Sequence, residues 1–245
     1  MDIPSLTDRQ IQILKLIIEE FIKSGEPVGS DTIDKKFNLG VSPATIRNEM
    51  VILGQQGFLD QPHTSSGRTP TSLALRFYVK QLMKEKDLSV SEEVDVKAKI
   101  WDYRDKADRL LRETVRILAC KTGTIAVATT NHGDVFHAGY ANILDLPEFF
   151  DIDVTKTVLL MLDNTQQLQA ILGRALGQEP INILLGDDFE SEFMRPCGMV
   201  YTKFPMGSYG DGSLGVFGPS RLDYAYIIPM VRYFGTLLTD LTHDW

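Results

Sequence analysis

Two short stretches carry side chains suited to reading a nucleic acid. In Ser42-Pro43-Ala44-Thr45-Ile46-Arg47-Asn48-Glu49-Met50, a capping serine and a first-turn proline open a helix. With Ile46 set at zero and 100° per residue, Met50 and Leu53 fall on its side, Ala44 and Asn48 point away, and Thr45 and Arg47 take the flanks. Arg47 and Asn48 can offer guanidinium and amide groups to base edges, Thr45 can reach an edge or a phosphate, and the Ser42 cap leaves helix N–H groups facing a phosphate. The second stretch, PHTSSGRTP from Pro62 to Pro70, has one Arg, four hydroxyl residues and no acid. Its His63, Ser65, Ser66, Gly67, Arg68 and Thr69 suit contact with a DNA backbone or a minor groove.

Elements must hold these stretches in place. Thr7-Asp8-Arg9-Gln10 reads as a capping box, followed by Ile11, Leu14, Ile17, Ile18, Phe21 and Ile22 at helical spacing up to Gly25. A short helix from Ser30 with Ile33 and Phe37 inward comes next, then the Ser42 helix, closed at Gly57, and a short strand at Phe58–Gln61. After the polar loop, Leu75, Tyr78, Val79 and Leu82 describe one more helix. Three helices, a strand and a loop in this order predict a winged helix-turn-helix over residues 1–83, with DNA binding or protein binding as its use.

Residues 84–122 are expected to form a connecting or dimerisation helix, because Val96, Ile100, Tyr103, Ala107, Leu110, Thr114 and Ile117 alternate spacings of four and three. Helix pairing and a long helix lying on its own domain both accommodate that seam. Residues 123–245 switch to strand-like runs at 124–130, 135–140, 181–185, 199–204 and 213–217, with helices at 157–176 and 224–241. The fold class is therefore α+β.

Bulk properties narrow the function. A length of 245 residues, 43% hydrophobic and 24% charged, suits a folded chain with a real core. Its opening residues show no leader pattern and no apolar run reaches eighteen residues, so a cytoplasmic protein with no membrane partner is expected. The net charge of −8 is uneven: residues 1–83 hold nine basic and nine acidic side chains, and the rest hold 16 and 24. A DNA-contacting face on the first part would be neither swamped nor strongly attractive, and would depend on geometry and on two copies binding together.

Other signals point away from chemistry. Gly210 to Gly215 spells GxGxxG but precedes an apolar strand, which predicts a hairpin turn. His132 and His137 flank a Gly-Asp turn without a third ligand, Cys120 and Cys197 match no metal spacing, and Cys197 reads as a structural thiol. Gly218-Pro219-Ser220-Arg221 reads as a structural turn in which Arg221 and Asp223 form local pairs. No enzyme, metal or cofactor is expected.

LTDRQIQILKLIIEEFIKSGEPVGS, LGVSPATIRNEM and GFLDQPHTSSGRTPT closely resemble the HrcA family of heat-shock repressors, and ANILDLPEF and LGVFGPSRLDY are similar to two further segments of it. The resemblance implies a dimer that binds an inverted-repeat operator, called CIRCE, ahead of chaperone genes, with the GroE chaperonin supporting its folding. It also implies a GAF-like second domain. Matched by residue, the family's recognition helix falls on Ser42, Thr45, Arg47 and Asn48, and its wing on His63, Ser65, Ser66, Gly67 and Arg68. The chain is shorter than is usual for the family, with the gap between Val96–Ala119 and ANILDLPEF, so the GAF-like domain is expected to be reduced. The alternative reading is a ligand-sensing or protein-interaction module without specific DNA binding.

Overall fold

The structure, a computed structural model, describes residues 6–37, 39–63, 66–103, 106–173 and 180–243. It divides into two compact units, Met1–Lys84 and Glu85–Trp245. Together they mix helices with antiparallel sheet, the α+β class that the alternating patterns predict.

The first unit begins with α1 (Asp8–Ser24), opened by Thr7, whose hydroxyl accepts from Gln10 N–H at 3.3 Å while Gln10 Oε1 accepts from Thr7 N–H at 3.0 Å. This reciprocal capping satisfies two N–H groups that a helix start leaves unpaired. Next come α2 (Ser30–Phe37) and α3 (Pro43–Gln55), then β1 (Leu59–Asp60) and β2 (Thr69–Pro70), paired antiparallel with Asp60 opposite Thr69. The strand expected over four residues is thus two long. The reversal after α3 needs a left-handed residue, and Gly57 (φ 82°) supplies it.

Thr71 then caps α4 (Ser72–Phe77) and also donates its hydroxyl to Gly57 O at 2.7 Å, which fastens the hairpin to the last helix. The helix widens into a π turn at Tyr78–Leu82. Ile13, Leu14, Ile17, Ile33, Ile46 and Leu53 are fully buried in the core of this unit. Each is worth about 1.5–3 kcal/mol relative to exposure.

In the second unit, α5 (Val90–Trp101) and α6 (Ala107–Thr122) replace the expected long connecting helix. The chain folds back between them through tight turns, with Tyr103 N–H on Ile100 O at 3.0 Å and Lys106 N–H on Tyr103 O at 3.2 Å. Asp102, Tyr103 and Asp105 are weak helix formers, and the 4-3 spacing is blind to a break among polar residues. Folding back lets α5 pack on α6, with Val96, Ile100, Leu110 and Thr114 all buried. Most of the seam offered for helix pairing is spent inside the unit.

A five-stranded antiparallel sheet follows: β3 (Ile125–Thr130), β4 (Val135–Ala138), β5 (Ile181–Leu185), β6 (Cys197–Pro205) and β7 (Asp211–Pro219), in the order β4-β3-β7-β6-β5. α6 and the last helix, α10 (Tyr224–Thr242), pack on one side of it, and because the other side is covered as well, the central strands are buried on both faces. The opposite face meets α7 (Tyr140–Leu144), α8 (Ile152–Asp163) and α9 (Thr165–Gly173) through a core of Ile125, Val127, Met199, Tyr201, Phe217, Val158 and Leu168. The single helix expected over 157–176 is therefore two, interrupted where Asn164 caps the second by accepting Gln167 N–H at 3.0 Å.

Candidate nucleic-acid interface

Burial fixes the orientation of α3. Ile46, Met50 and Leu53 face inward, against α1 and α2, while Ala44, Arg47, Asn48 and Gln55 are exposed. Glu49 is the single acid in α3, and it is turned back: Gln10 Nε2 donates to its Oε2 at 3.1 Å and Arg9 lies 3.7 Å from its Oε1. The outward arc consequently carries one guanidinium, two amides and no carboxylate. It also carries Val51 and Ile52, 40% and 38% exposed, two apolar side chains whose outward placement the sequence reading did not single out.

At the head of α3, Ser42 is exposed and Thr45 half-buried. The Ser42 hydroxyl accepts Thr45 N–H at 3.2 Å and lies 3.0 Å from the Thr45 hydroxyl, so the two residues close the helix start together.

The loop between β1 and β2 is tied to itself and to the unit. Ser66 Oγ accepts from His63 N–H at 3.0 Å and donates to His63 O at 2.7 Å, and Gln61 Nε2 donates to Ser66 O at 3.2 Å. The Ser66 hydroxyl thus shapes the turn, His63 stands exposed, and Thr69 is half-buried in β2. Thr64 and Ser65 lie outside the described residues. Arg68 exchanges two backbone hydrogen bonds with Val28, each 2.9 Å, which adds a third strand-like segment beside the hairpin. A β-carbon on Gly54 of α3 would lie 3.6 Å from Arg68 Nη1, so this guanidinium sits over the second half of α3.

Between these parts runs a cleft of about 490 Å³, lined by Ser30, Arg47, Val51, Gln61, Ser66 and Arg68 among others. It brings Arg47, Ser66, Gly67 and Arg68 together. Ser42, Thr45, Asn48, His63 and Thr69 are not part of its lining, and on the helical wheel Asn48 and Thr45 take the flank away from Arg47.

Gly67 is required by contact: a β-carbon there would lie 2.5–2.7 Å from backbone atoms of Pro27 and Val28. Gly67→Ala is expected to destabilise the first unit by about 1–3 kcal/mol or to push the loop off Val28. Loss of amide-exchange protection at Val28 and Arg68 would register this, and unchanged protection would contradict it.

The remaining sequence signals find local partners. The GxGxxG stretch starts at a turn, Gly207–Tyr209, and runs into β7, as a hairpin requires. His137 Nδ1 is bonded to the Tyr140 hydroxyl. Burial, with Glu148 nearby, pushes the Cys197 thiol up to about 12, where it stays protonated at neutral pH. The local pairing expected of Arg221 and Asp223 is corrected. Arg221 forms a two-pronged pair with Glu148, at 2.5 and 3.1 Å, and Asp223 pairs with Lys86 at 3.0 Å. Arg221 and Glu148 are 73 residues apart and belong to the LGVFGPSRLDY and ANILDLPEF segments, so those segments meet in space. Among the described residues, no helix is long and apolar enough to cross a membrane.

Comparison with known proteins gives these features a context. Residues 75–228 match the family model for the HrcA protein C-terminal domain. Among curated relatives, the heat-inducible transcription repressor HrcA of Desulforudis audaxviator is 26% identical over 328 aligned residues, 93% of this chain and 95% of that protein. The same-named protein of Symbiobacterium thermophilum is 26% identical over 336, covering 96% and 98%. Both alignments are longer than the 245-residue chain, so the relatives carry internal residues that it lacks. A crystal structure of a protein described as hypothetical is similar with a TM-score of 0.76 and 17% identity, over 98% of this chain and 99% of that one.

Proposed function

Because the chain belongs to the HrcA family, we propose that it is a dimeric, cytoplasmic transcription repressor of heat-shock genes, reading an inverted-repeat operator of the CIRCE type. Residues 1–83 serve as a winged helix-turn-helix. α3 lies in the major groove, and the loop between β1 and β2 is the wing. The second unit is a reduced GAF-like domain that sets self-association and responsiveness, and GroE assists its folding.

The acid-free outward face of α3 carries this reading. Arg47 suits a guanine edge, Asn48 suits an adenine edge, and Val51 and Ile52 suit thymine methyl groups. Ser42 and Thr45 at the helix start contact a phosphate. Arg68 with His63, Ser65, Ser66, Gly67 and Thr69 contacts the backbone, which fixes register and carries little sequence information. With nine charges of each sign on residues 1–83, generic attraction to DNA is weak, and specific binding draws on two symmetric half-sites.

The test is the binding profile of this protein on its own genome. A pseudo-palindrome upstream of chaperone genes is expected. Protein that ignores every duplex at low salt and co-purifies with a metabolite would favour the ligand-sensing alternative instead.

A further inference from the structure

On the second unit, Leu144, Phe150, Ile152, Leu159, Leu160 and Phe193 are large apolar side chains standing in solvent, with Ile152 73% and Phe150 70% exposed. Three of them are on α8, Phe150 lies two residues before its start, and Phe193 belongs to the turn Glu192–Met194, which packs against it. The inner face of α8 is spent in the core through Val154, Val158, Met161 and Leu162. Its outer face places Ile152, Lys156, Leu159, Leu160 and Asp163 within about 100° of one another. Soluble monomers rarely leave so many large apolar groups together in water.

The order of charges along this stripe says what covers it. Two copies of a helix related by a two-fold axis run antiparallel, and residue i of one then meets a fixed mirror position on the other. With the axis between Leu159 and Leu160, Leu159 meets the partner's Leu160, and Lys156 meets the partner's Asp163 at both ends of the contact. Among the described residues, neither Lys156 nor Asp163 stands in an ion pair within the chain. Asp163 is also the last residue of α8, so Lys156 would lie beside the electronegative end of the partner helix. A stripe built for an unrelated partner has no reason to be self-matching in both charge and apolar content.

We propose that the outer stripe of α8 is a homodimer contact, formed by antiparallel packing of Leu159 and Leu160 across a two-fold axis and closed by two Lys156–Asp163 pairs. This deepens the dimeric reading above and rests on it.

Sedimentation equilibrium of the full chain tests the contact, using wild type, K156E, D163K and the K156E/D163K double variant. Both positions changed are exposed on a folded helix, and circular dichroism checks that each variant stays folded. Each single reversal sets like charges opposite one another twice per dimer and is expected to weaken dimerisation by about tenfold or more, while the double variant regains wild-type association. Single variants that dimerise as wild type does, or a double variant that fails to recover, overturn this contact. If they dimerise fully and still fill both halves of an inverted repeat, the dimeric reading stands and only the surface is wrong. A wild-type chain that is monomeric both alone and on such a duplex overturns the dimeric reading together with the contact.

Discussion

Replacing Arg47 and Asn48 together by alanine is expected to cut binding to the inverted-repeat operator by about 2–6 kcal/mol, at least about 30-fold, without a change in melting temperature. Both side chains are exposed on the free arc of α3, so their removal leaves the Ile46, Met50 and Leu53 contacts intact. What is lost is the hydrogen bonding that distinguishes one base pair from another. Binding to a scrambled duplex should therefore change little, and the ratio between the two duplexes should collapse. Arg68→Ala offers the contrast. Its guanidinium lies over the second half of α3 beside the β1–β2 loop, and its removal should weaken both duplexes alike. Fluorescence anisotropy at one fixed salt concentration measures all of these. A double variant that keeps the wild-type preference would show that the reading face lies elsewhere.

Arg221→Ala is expected to destabilise the second unit by about 3 kcal/mol. The Arg221 and Glu148 side chains are 13% and 15% exposed, so removing the guanidinium strands a carboxylate in a site that water scarcely reaches. Removing both charges, as Arg221→Met with Glu148→Gln, should cost much less, because no uncompensated ion is then left behind. Both tryptophans, Trp101 and Trp245, fall in residues 85–245, so intrinsic fluorescence follows this unit during urea unfolding. The single variant should lose about 1 M or more in midpoint. A midpoint equal to that of wild type would mean that the pair is not holding the two segments together.

What could be read in the amino-acid order was set locally. The Thr7–Gln10 box, the Ser42-Pro43 start and Gly57 fixed the ends of α1 and α3 because each device acts within a few residues of itself. The outward direction of Asn48 followed from helical periodicity alone. Features that depend on distant partners stayed hidden. Gly67 is constrained by Pro27 and Val28, some forty residues earlier, and Arg221 by Glu148, 73 residues earlier. The fold-back between α5 and α6 escaped notice because a heptad-like spacing is satisfied equally by one helix and by two that bury the same residues. Val51 and Ile52 drew no attention in the sequence because apolar side chains are ordinarily spent in a core, whereas here the packing of α1 and α2 against the opposite side of α3 leaves them in water.

Repression as proposed requires the outward side of α3 to lie in a DNA groove. Cys197 is buried and Cys120 exposed, while Ala44 is exposed on the outward side of α3 and has no assigned contact, so Cys120→Ser with Ala44→Cys yields a chain with one accessible engineered thiol, to which a short photoactivated cross-linker can be attached. Irradiated on a duplex holding the inverted repeat, this chain is predicted to join to bases at two positions related by the operator's symmetry, facing the major groove. Cross-links confined to protein, or scattered over the duplex without that symmetry, would contradict it.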